Sequence, residues 1–461
     1  MYKKILIASL ALIAGLASCK KDDPTPSPNP PSTLTIDGVA SSLEFYQLDT
    51  AHLSVAGVAK DAAAKAVWAV NGAKAAEGAT FDFTTAHTGK YEVTLTVDGK
   101  SAKHTYTVAP RFSEGAFLLN EGNFGNETGS LTYIHPSKKL VIDQAYYRVN
   151  GTKLGNVCQD LAFGNDQIYI LSQLGPKNGG EGLLTIARSN SLEKVKVYND
   201  EALAQSTPTH IAVLRDHIYI RTERDGILRG SSEGGFTPIT GTKKALKQRM
   251  AQIGERLFAL TSDSKVLMIQ GTQVVRELDL SPAKPSGIAV SHDGKLWVST
   301  TSPNAILKVD PTPDNFVALD THILDKSISA TGPESWQRTT SSAFFAHGDK
   351  LYFTGQSSVI YCHDFATSKT SQVIDVKTID GVGTSANMYY NSLGVDPSTG
   401  ELYYAAFEGY STYNKKNVTM VLKADGTKLL LKEKVNSFPA GFYFIPTRSD
   451  PAAPLPCPSS S

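Results

Sequence analysis

The sequence predicts an all-β chain: a small β-sandwich followed by a seven-bladed β-propeller closed by strands from both ends of that module. Three observations carry this. Between residues 33 and 108, apolar and polar residues alternate in short runs, the spacing of half-buried strands. From about residue 111 to 448 one unit recurs: an apolar strand, a polar turn, then a strand rich in Tyr, Phe or Trp. The first copy of that unit lacks its opening strand, and a matching strand stands at the far end of the chain.

Residues 1–18 come first. Lys3 and Lys4 precede an apolar run from Ile5 to Leu16, which suits the h-region of an export signal and is too short to span a bilayer. Leu16-Ala17-Ser18 leads directly into Cys19. Small residues before a cysteine resemble the bacterial lipobox. That resemblance implies cleavage before Cys19 and a diacylglycerol on its sulfur. Such an anchor is durable, because each buried methylene contributes ~0.8 kcal/mol. Residues 19–32 continue with Lys20-Lys21-Asp22-Asp23 and a proline-rich run from Pro24 to Pro31. The stretch after the cysteine resembles the acidic export tag of Bacteroidetes surface lipoproteins, which implies the outer membrane and exposure to the medium. The prolines predict a stiff, solvated spacer.

Residues 33–109 predict the sandwich. Val67-Trp-Ala-Val70 runs into Asn71-Gly72, a strong hairpin signal. Tyr91, Val93, Leu95 and Val97 share one face of a strand, and Trp68 is a candidate core plug. A Trp strand followed by this alternating strand resembles immunoglobulin-like domains of the PKD type. The resemblance implies a sandwich serving as a spacer or an adhesive module.

Residues 111–448 predict the propeller. Copies of the unit cover 161–171, 211–221, 250–260, 288–298, 343–353 and 393–404. Their anchor positions Ile168, Ile218, Leu257, Leu296, Leu351 and Leu402 lie 50, 39, 39, 55 and 51 residues apart. Periods of ~40–50 with several short strands per unit indicate propeller blades. Ala116-Phe-Leu-Leu119 reads as a second strand without a first. Pro439-Ala-Gly-Phe-Tyr-Phe-Ile445 supplies it, matching the openings at Pro208 and Pro285. Pairing the two completes a seventh blade and removes an open sheet edge. The alternative count is eight blades, with unshared ends. Residues 449–461 are expected to form a disordered tail.

Composition narrows the function. Lys and Arg total 45 against 44 Asp and Glu, which leaves no electrostatic footprint for nucleic acid. Setting Cys19 aside leaves Cys158, Cys362 and Cys457, with no CxxC, so there is neither a disulfide framework nor a thiolate metal site. Gly230-Ser-Ser-Glu-Gly234 fits an esterase expression but falls inside a blade, where a hairpin turn is expected. Gly381-Val-Gly383 has no βαβ unit around it. The ten histidines form neither HxH nor HExxH, and His210 and His217 fall in one hairpin. The sequence therefore predicts no enzyme, no cofactor and no metal.

Propellers bind ligands at the channel mouth, through the loops between and within blades. The candidates are Asn120, Glu121, Asn123 and Phe124, then Gln173 and Lys177, then Arg221 and Arg224. Trp336, Gln337, Tyr389, Tyr390, Asn391 and Tyr410 complete the set. Flat aromatic surfaces with amides and guanidiniums suit a large, partly apolar ligand with polar edges.

Leu119-Asn-Glu-Gly-Asn-Phe-Gly-Asn126, followed by Gly129-Ser-Leu-Thr-Tyr133, resembles the opening of YncE-like surface propellers of Bacteroidetes. Some members are lipoproteins that sit on a TonB-dependent outer-membrane transporter and capture vitamin B12 and related corrinoids. The resemblance implies non-covalent capture of a small-molecule nutrient, with corrinoid first and haem, siderophore or glycan after it, and delivery to such a transporter. The competing expectations are an adhesion or envelope-scaffolding protein that binds glycan or protein, and a propeller lyase or hydrolase with a metal or acid–base cluster in its channel.

Overall fold

A computed structural model of the protein describes residues 33–39, 44–328, 343–355, 357–387 and 393–446. The export signal, Cys19, the proline spacer, Cys457 and the 449–461 tail lie outside the described residues. The chain divides into two compact units. The small one is built mainly on Ala51–Phe83 and Tyr91–Tyr106, and the large one on the chain from Thr107 onward.

In the small unit, Thr35–Asp37, Thr50–Ala56 and Thr80–Thr84 form one sheet. Gly89–Val97 and Lys100–Ala109 pair in a second sheet with Val67–Val70 and Ala73–Glu77. Asn71 and Gly72 turn the hairpin with φ of 49° and 81°, the left-handed pair that this two-residue turn requires. The two sheets meet through aromatics. Trp68 lies 5.6 Å from Phe81, and Phe83 stacks on Tyr106 at 4.8 Å. Trp68 is fully buried, and its indole N–H donates to Gly78 O at 2.9 Å, so the ring is anchored as well as packed.

The large unit contains, among the described residues, seven four-stranded sheets. Sheet 2 shows the pattern: Cys158–Gly164, Gln167–Ser172, Leu184–Arg188 and Lys194–Tyr198, each antiparallel to the next. The other sheets begin at Pro208 (sheet 3), Ala251 (sheet 4), Pro285 (sheet 5), Phe344 (sheet 6) and Leu393 (sheet 7). Sheet 1 is assembled from both chain ends. Pro439–Phe444 pairs with Ala116–Asn120, which pairs with Ser130–His135 and then Leu140–Ile142. The C-terminal strand thus occupies the first position, as the missing-strand pattern predicts.

Each anchor residue sits in the second strand of its sheet and is at most 1% exposed. The cores lie between neighbouring sheets: Tyr169 and Leu171 of sheet 2 pack with Ile211, Val213 and Ile218 of sheet 3. Burying such a side chain contributes about 1.5–3 kcal/mol, so the repeat period in sequence is the period of these inter-sheet cores. Four first strands carry a bulge at their start, between Cys158 and Asp160, Pro208 and His210, Pro285 and Gly287, and Pro439 and Gly441. Proline has no N–H for a ladder, and a bulge re-aims the side chains that follow it.

Candidate functional site

Connections between second and third strands, and from an outer strand to the next sheet, emerge at one edge of every sheet. They form a loop face. The loop after Ala116–Asn120 is held there from several sides. Asn156 Nδ2 donates to Asn123 O at 3.3 Å, Gly125 N donates to Asn156 Oδ1 at 3.2 Å, and Tyr413 O–H donates to Glu127 Oε2 at 2.8 Å. Ser437 Oγ donates to the same Glu127 oxygen at 3.2 Å.

Phe438, with φ of 52°, carries an aromatic shelf beside this loop. Tyr413 stacks on it at 4.3 Å, Tyr410 stacks at 5.7 Å, and Phe407 meets it edge-on at 5.2 Å. Burial, and then the Glu121 carboxylate, push the Tyr410 phenol above its usual range; burial and a hydrogen bond to Glu127 do the same for Tyr413. Both phenols are neutral donors at neutral pH.

The predicted residues take different positions. Tyr410, 41% exposed, stacks on Phe438, and the Glu121 N–H donates to Phe438 O at 2.7 Å, so these two share the shelf region; Phe124 projects 64% exposed from the adjoining loop. Asn120 is buried. Its Nδ2 donates to Ser130 and Thr132 hydroxyls and its Oδ1 accepts from Ser437 N at 3.0 Å, which locks the closing strand. Gln173 and exposed Lys177 lie on the neighbouring loop of sheet 2, tied in through Asn156 N donating to Gly175 O. Arg221 stands at the loop end of the strand His217–Thr222, but its side chain is buried there. Its guanidinium is 7% exposed and donates to Ala245 O at 3.0 Å and Thr209 Oγ1 at 3.2 Å, beside Glu223. It holds sheet 3 to the chain entering sheet 4 and offers no fork to a ligand. Arg224 is exposed on its own turn. Trp336, Gln337, Tyr389, Tyr390 and Asn391 lie outside the described residues.

Sequence reasoning missed Tyr147, Tyr413, Phe438 and a polar cavity. Tyr147 is 46% exposed on the short helix Ala145–Asn150, between sheets 1 and 2. The signal for Tyr413 was available, because it shares a loop with Tyr410. The cavity, about 290 Å³, lies between Asn120, Asn126, Tyr147, Asn178, Asn414 and Asn436.

A second cavity, about 340 Å³, is lined by the first strands of all seven sheets, which therefore converge on one channel. Its wall is apolar at Phe163, Ile288, Phe345 and Phe444, with one polar cluster. Arg249 comes from the chain before sheet 4 and reaches the closing strand. It donates to Ala440 O at 3.3 Å and Phe442 O at 3.4 Å, lies over the Tyr443 ring at 4.2 Å and stands 3.5 Å from Asp160. Asp160 also accepts from Tyr443 O–H at 2.6 Å and Ile211 N at 2.9 Å. Burial pushes its carboxyl up, opposed by Arg249, the Tyr443 hydroxyl and the backbone N–H groups. A Cβ at Gly441 would overlap the Arg249 guanidinium, and φ there is 145°.

Other motifs resolve locally. Gly230–Gly234 falls in the hairpin of Gly226–Ser231 and Gly234–Pro238. Gly383 opens a short 3-10 turn. His210 is fully buried beside Thr209. Cys158 and Cys362 are free thiols. Among the described residues, no group of three or more His, Cys, Asp or Glu is placed to share a metal ion, and no helix is long and apolar enough to cross a membrane.

The family model for DUF5074, described as a domain of unknown function, matches residues 114–446. The chain belongs to the DUF5074 family. The seven sheets and the closing strand fall within that match. No curated protein matches the chain in sequence. A quinonprotein alcohol dehydrogenase-like protein from Bacteroides thetaiotaomicron is similar in structure, with a TM-score of 0.58 and 15% identity over 88% of this chain and 97% of that one. At that identity the likeness shows the fold alone: the four-stranded sheets of this DUF5074 chain are the blades of a β-propeller. A protein from Lactobacillus plantarum has a TM-score of 0.47 at 13% identity, covering 72% of this chain and all of that one. BamB from Moraxella catarrhalis has 0.36 at 11%, covering 60% and 76%. These weaker likenesses carry no further argument.

Proposed function

We propose that this DUF5074 protein is a surface lipoprotein, anchored in the outer membrane through Cys19. Its seven-bladed propeller captures a corrinoid on the loop face and passes it to a TonB-dependent transporter. The immunoglobulin-like domain and proline spacer hold the propeller off the lipid, and tethering raises the local ligand concentration near the pore. The function is binding, without turnover.

One observation carries this reading. Among the described residues, the three strongly exposed aromatic side chains, Phe124, Tyr147 and Tyr410, all lie on the loop face. Exposed aromatics beside amides match a broad, flat ligand with an apolar ring face and amide edges, which is the chemistry of a corrinoid. A corrin ring exceeds either cavity, so it would lie across the loops.

The test is a thermal melt of the chain beginning at Thr33 with cyanocobalamin, and with haem as comparison. Stabilisation by cyanocobalamin that is lost in a Phe124→Ala, Tyr410→Ala double variant supports the reading. An unchanged melting midpoint at saturating cyanocobalamin overturns the corrinoid assignment.

A second reading, adhesion or scaffolding, is favoured by a different surface. The outer strand Ala318–Ile323 of sheet 5 and the residue before it expose Val317, Leu319 and Ile323 at 42%, 56% and 66%. An apolar, exposed edge strand is a template for pairing with another chain. Charged substitutions at Leu319 and Ile323 that abolish binding to cell-wall polymer or host protein would favour it.

A further inference from the structure

We propose that the amide-lined cavity on the loop face is a binding site for a neutral polyhydroxylated ligand, a sugar residue of a glycan or glycoside. The inference stands on the cavity itself and shares only Tyr147 with the corrinoid reading.

Five asparagines line it: Asn120, Asn126, Asn178, Asn414 and Asn436. An amide offers a donor and an acceptor side by side. A pair of adjacent sugar hydroxyls, each both donor and acceptor, presents the complement. Asn436 supplies the sharpest sign. It is 5% exposed, its Nδ2 donates to Val418 O at 3.1 Å and Thr419 Oγ1 at 3.0 Å, and its buried Oδ1 has no hydrogen-bond partner among the described residues. The two Nδ2 bonds fix which way the amide faces. Asn436 is part of the cavity wall, and an acceptor left unmade there is costly, which favours a donor supplied at that wall.

Charge decides between a sugar and an anion. Lys153 and Lys434 at this cavity are matched by Asp143 and Glu127. Glu127 is already bonded to Tyr413 and Ser437, and Asp143 accepts from Thr132 Oγ1 at 3.2 Å and Gln144 N at 2.8 Å. The wall is thus polar without a net field, which favours a neutral ligand over phosphate or a polyanion. Tyr147 adds an exposed ring for the apolar C–H face of a pyranose. Size agrees: about 290 Å³ lies at the small end of ligand pockets, which suits one sugar residue with the rest projecting outward. Three non-glycine residues of the wall, Gln144, Asn178 and Lys434, hold φ of 51°, 58° and 59°. Such conformations persist only where the surroundings fix them, so the wall is preformed.

The experiment is saturation-transfer-difference NMR on the chain beginning at Thr33. The probes are glucose, galactose, mannose and N-acetylglucosamine, each titrated into the millimolar range. The variants are Tyr147→Ala and Asn414→Ala, whose side chains are exposed. The expected result is saturable transfer to at least one sugar, weakened at least fivefold in each variant, with melting midpoints unchanged. Absence of saturable transfer from all four sugars overturns the proposal, as does transfer that neither variant weakens. Cyanocobalamin titrated into Asn414→Ala, whose side chain belongs to the cavity alone, separates the two sites. Loss of sugar binding in Asn414→Ala with corrinoid stabilisation intact leaves both readings standing, and an unchanged melting midpoint of the wild type with cyanocobalamin does not touch the sugar site.

Discussion

Replacing Gly441 by alanine tests how the channel is closed. The new Cβ would overlap the Arg249 guanidinium, and the residue would be forced to hold φ of 145°. To make room, Arg249 must leave Ala440 O, Phe442 O and Asp160, whose side chain is 2% exposed. Breaking a buried ion pair costs about 3–5 kcal/mol, because the remaining charge is left without a partner. The strained backbone adds about 1–3 kcal/mol. For a module of roughly 330 residues, an unfolding entropy near 2.1 cal/mol/K per residue gives about 0.7 kcal/mol/K. A loss of about 4–8 kcal/mol then lowers the melting midpoint by about 6–11 °C. The decisive comparison is Arg249→Met. In that background Asp160 already lacks its cationic partner, so Gly441→Ala should add only its backbone strain, about 1–4 °C. Differential scanning calorimetry of the wild type, the two single variants and the double variant measures this coupling. If Gly441→Ala lowers the midpoint equally in both backgrounds, the glycine does not exist to admit Arg249 and the reasoning fails.

Three other outcomes are expected. Ending the chain at Phe438 removes Pro439–Phe444 and uncovers Phe117 and Leu118, both fully buried, so size-exclusion chromatography should show aggregate; a monomer of unchanged midpoint would contradict the closure. Burial, then the neighbouring His322 at 2.9 Å, hold the His363 imidazole below its usual value. The lowered folded-state value means that its stability is present above about pH 6.5 and is lost as pH falls. Midpoints measured from pH 7 to 5 should therefore decline, and His363→Gln should flatten part of that decline. Burial pushes the Cys158 thiol up, and the Cys362 thiol to about 11, so Ellman's reagent at pH 8 should label Cys158 only after unfolding; rapid labelling of native Cys158 would show that its strand opens.

The blades were legible because their signal is local. A strand that buries Ile218 or Leu296 against the next sheet needs an apolar side chain at that position in every copy. The same logic exposed the closing strand, since Pro439-Ala-Gly441 repeats the opening of Pro285-Ser-Gly287. The candidate site was legible only in part. Phe124 and Tyr410 are found by asking which loops are aromatic. Arg221 looks identical in sequence to a ligand-binding arginine, and only its neighbours show that Ala245 O and Thr209 occupy it. Arg249 gave no signal, because its partners lie 89 residues before it and 191 after it.

Sequence alone determined the strand period, the turn chemistry and the join of head to tail, because each rests on residues near in the chain or on a repeated pattern. Tertiary structure alone decided which polar side chains are occupied and which face open space. That property belongs to distances between sheets: five asparagines from four separate stretches of chain become one cavity, and a single arginine crosses to the closing strand, only once the sheets stand side by side.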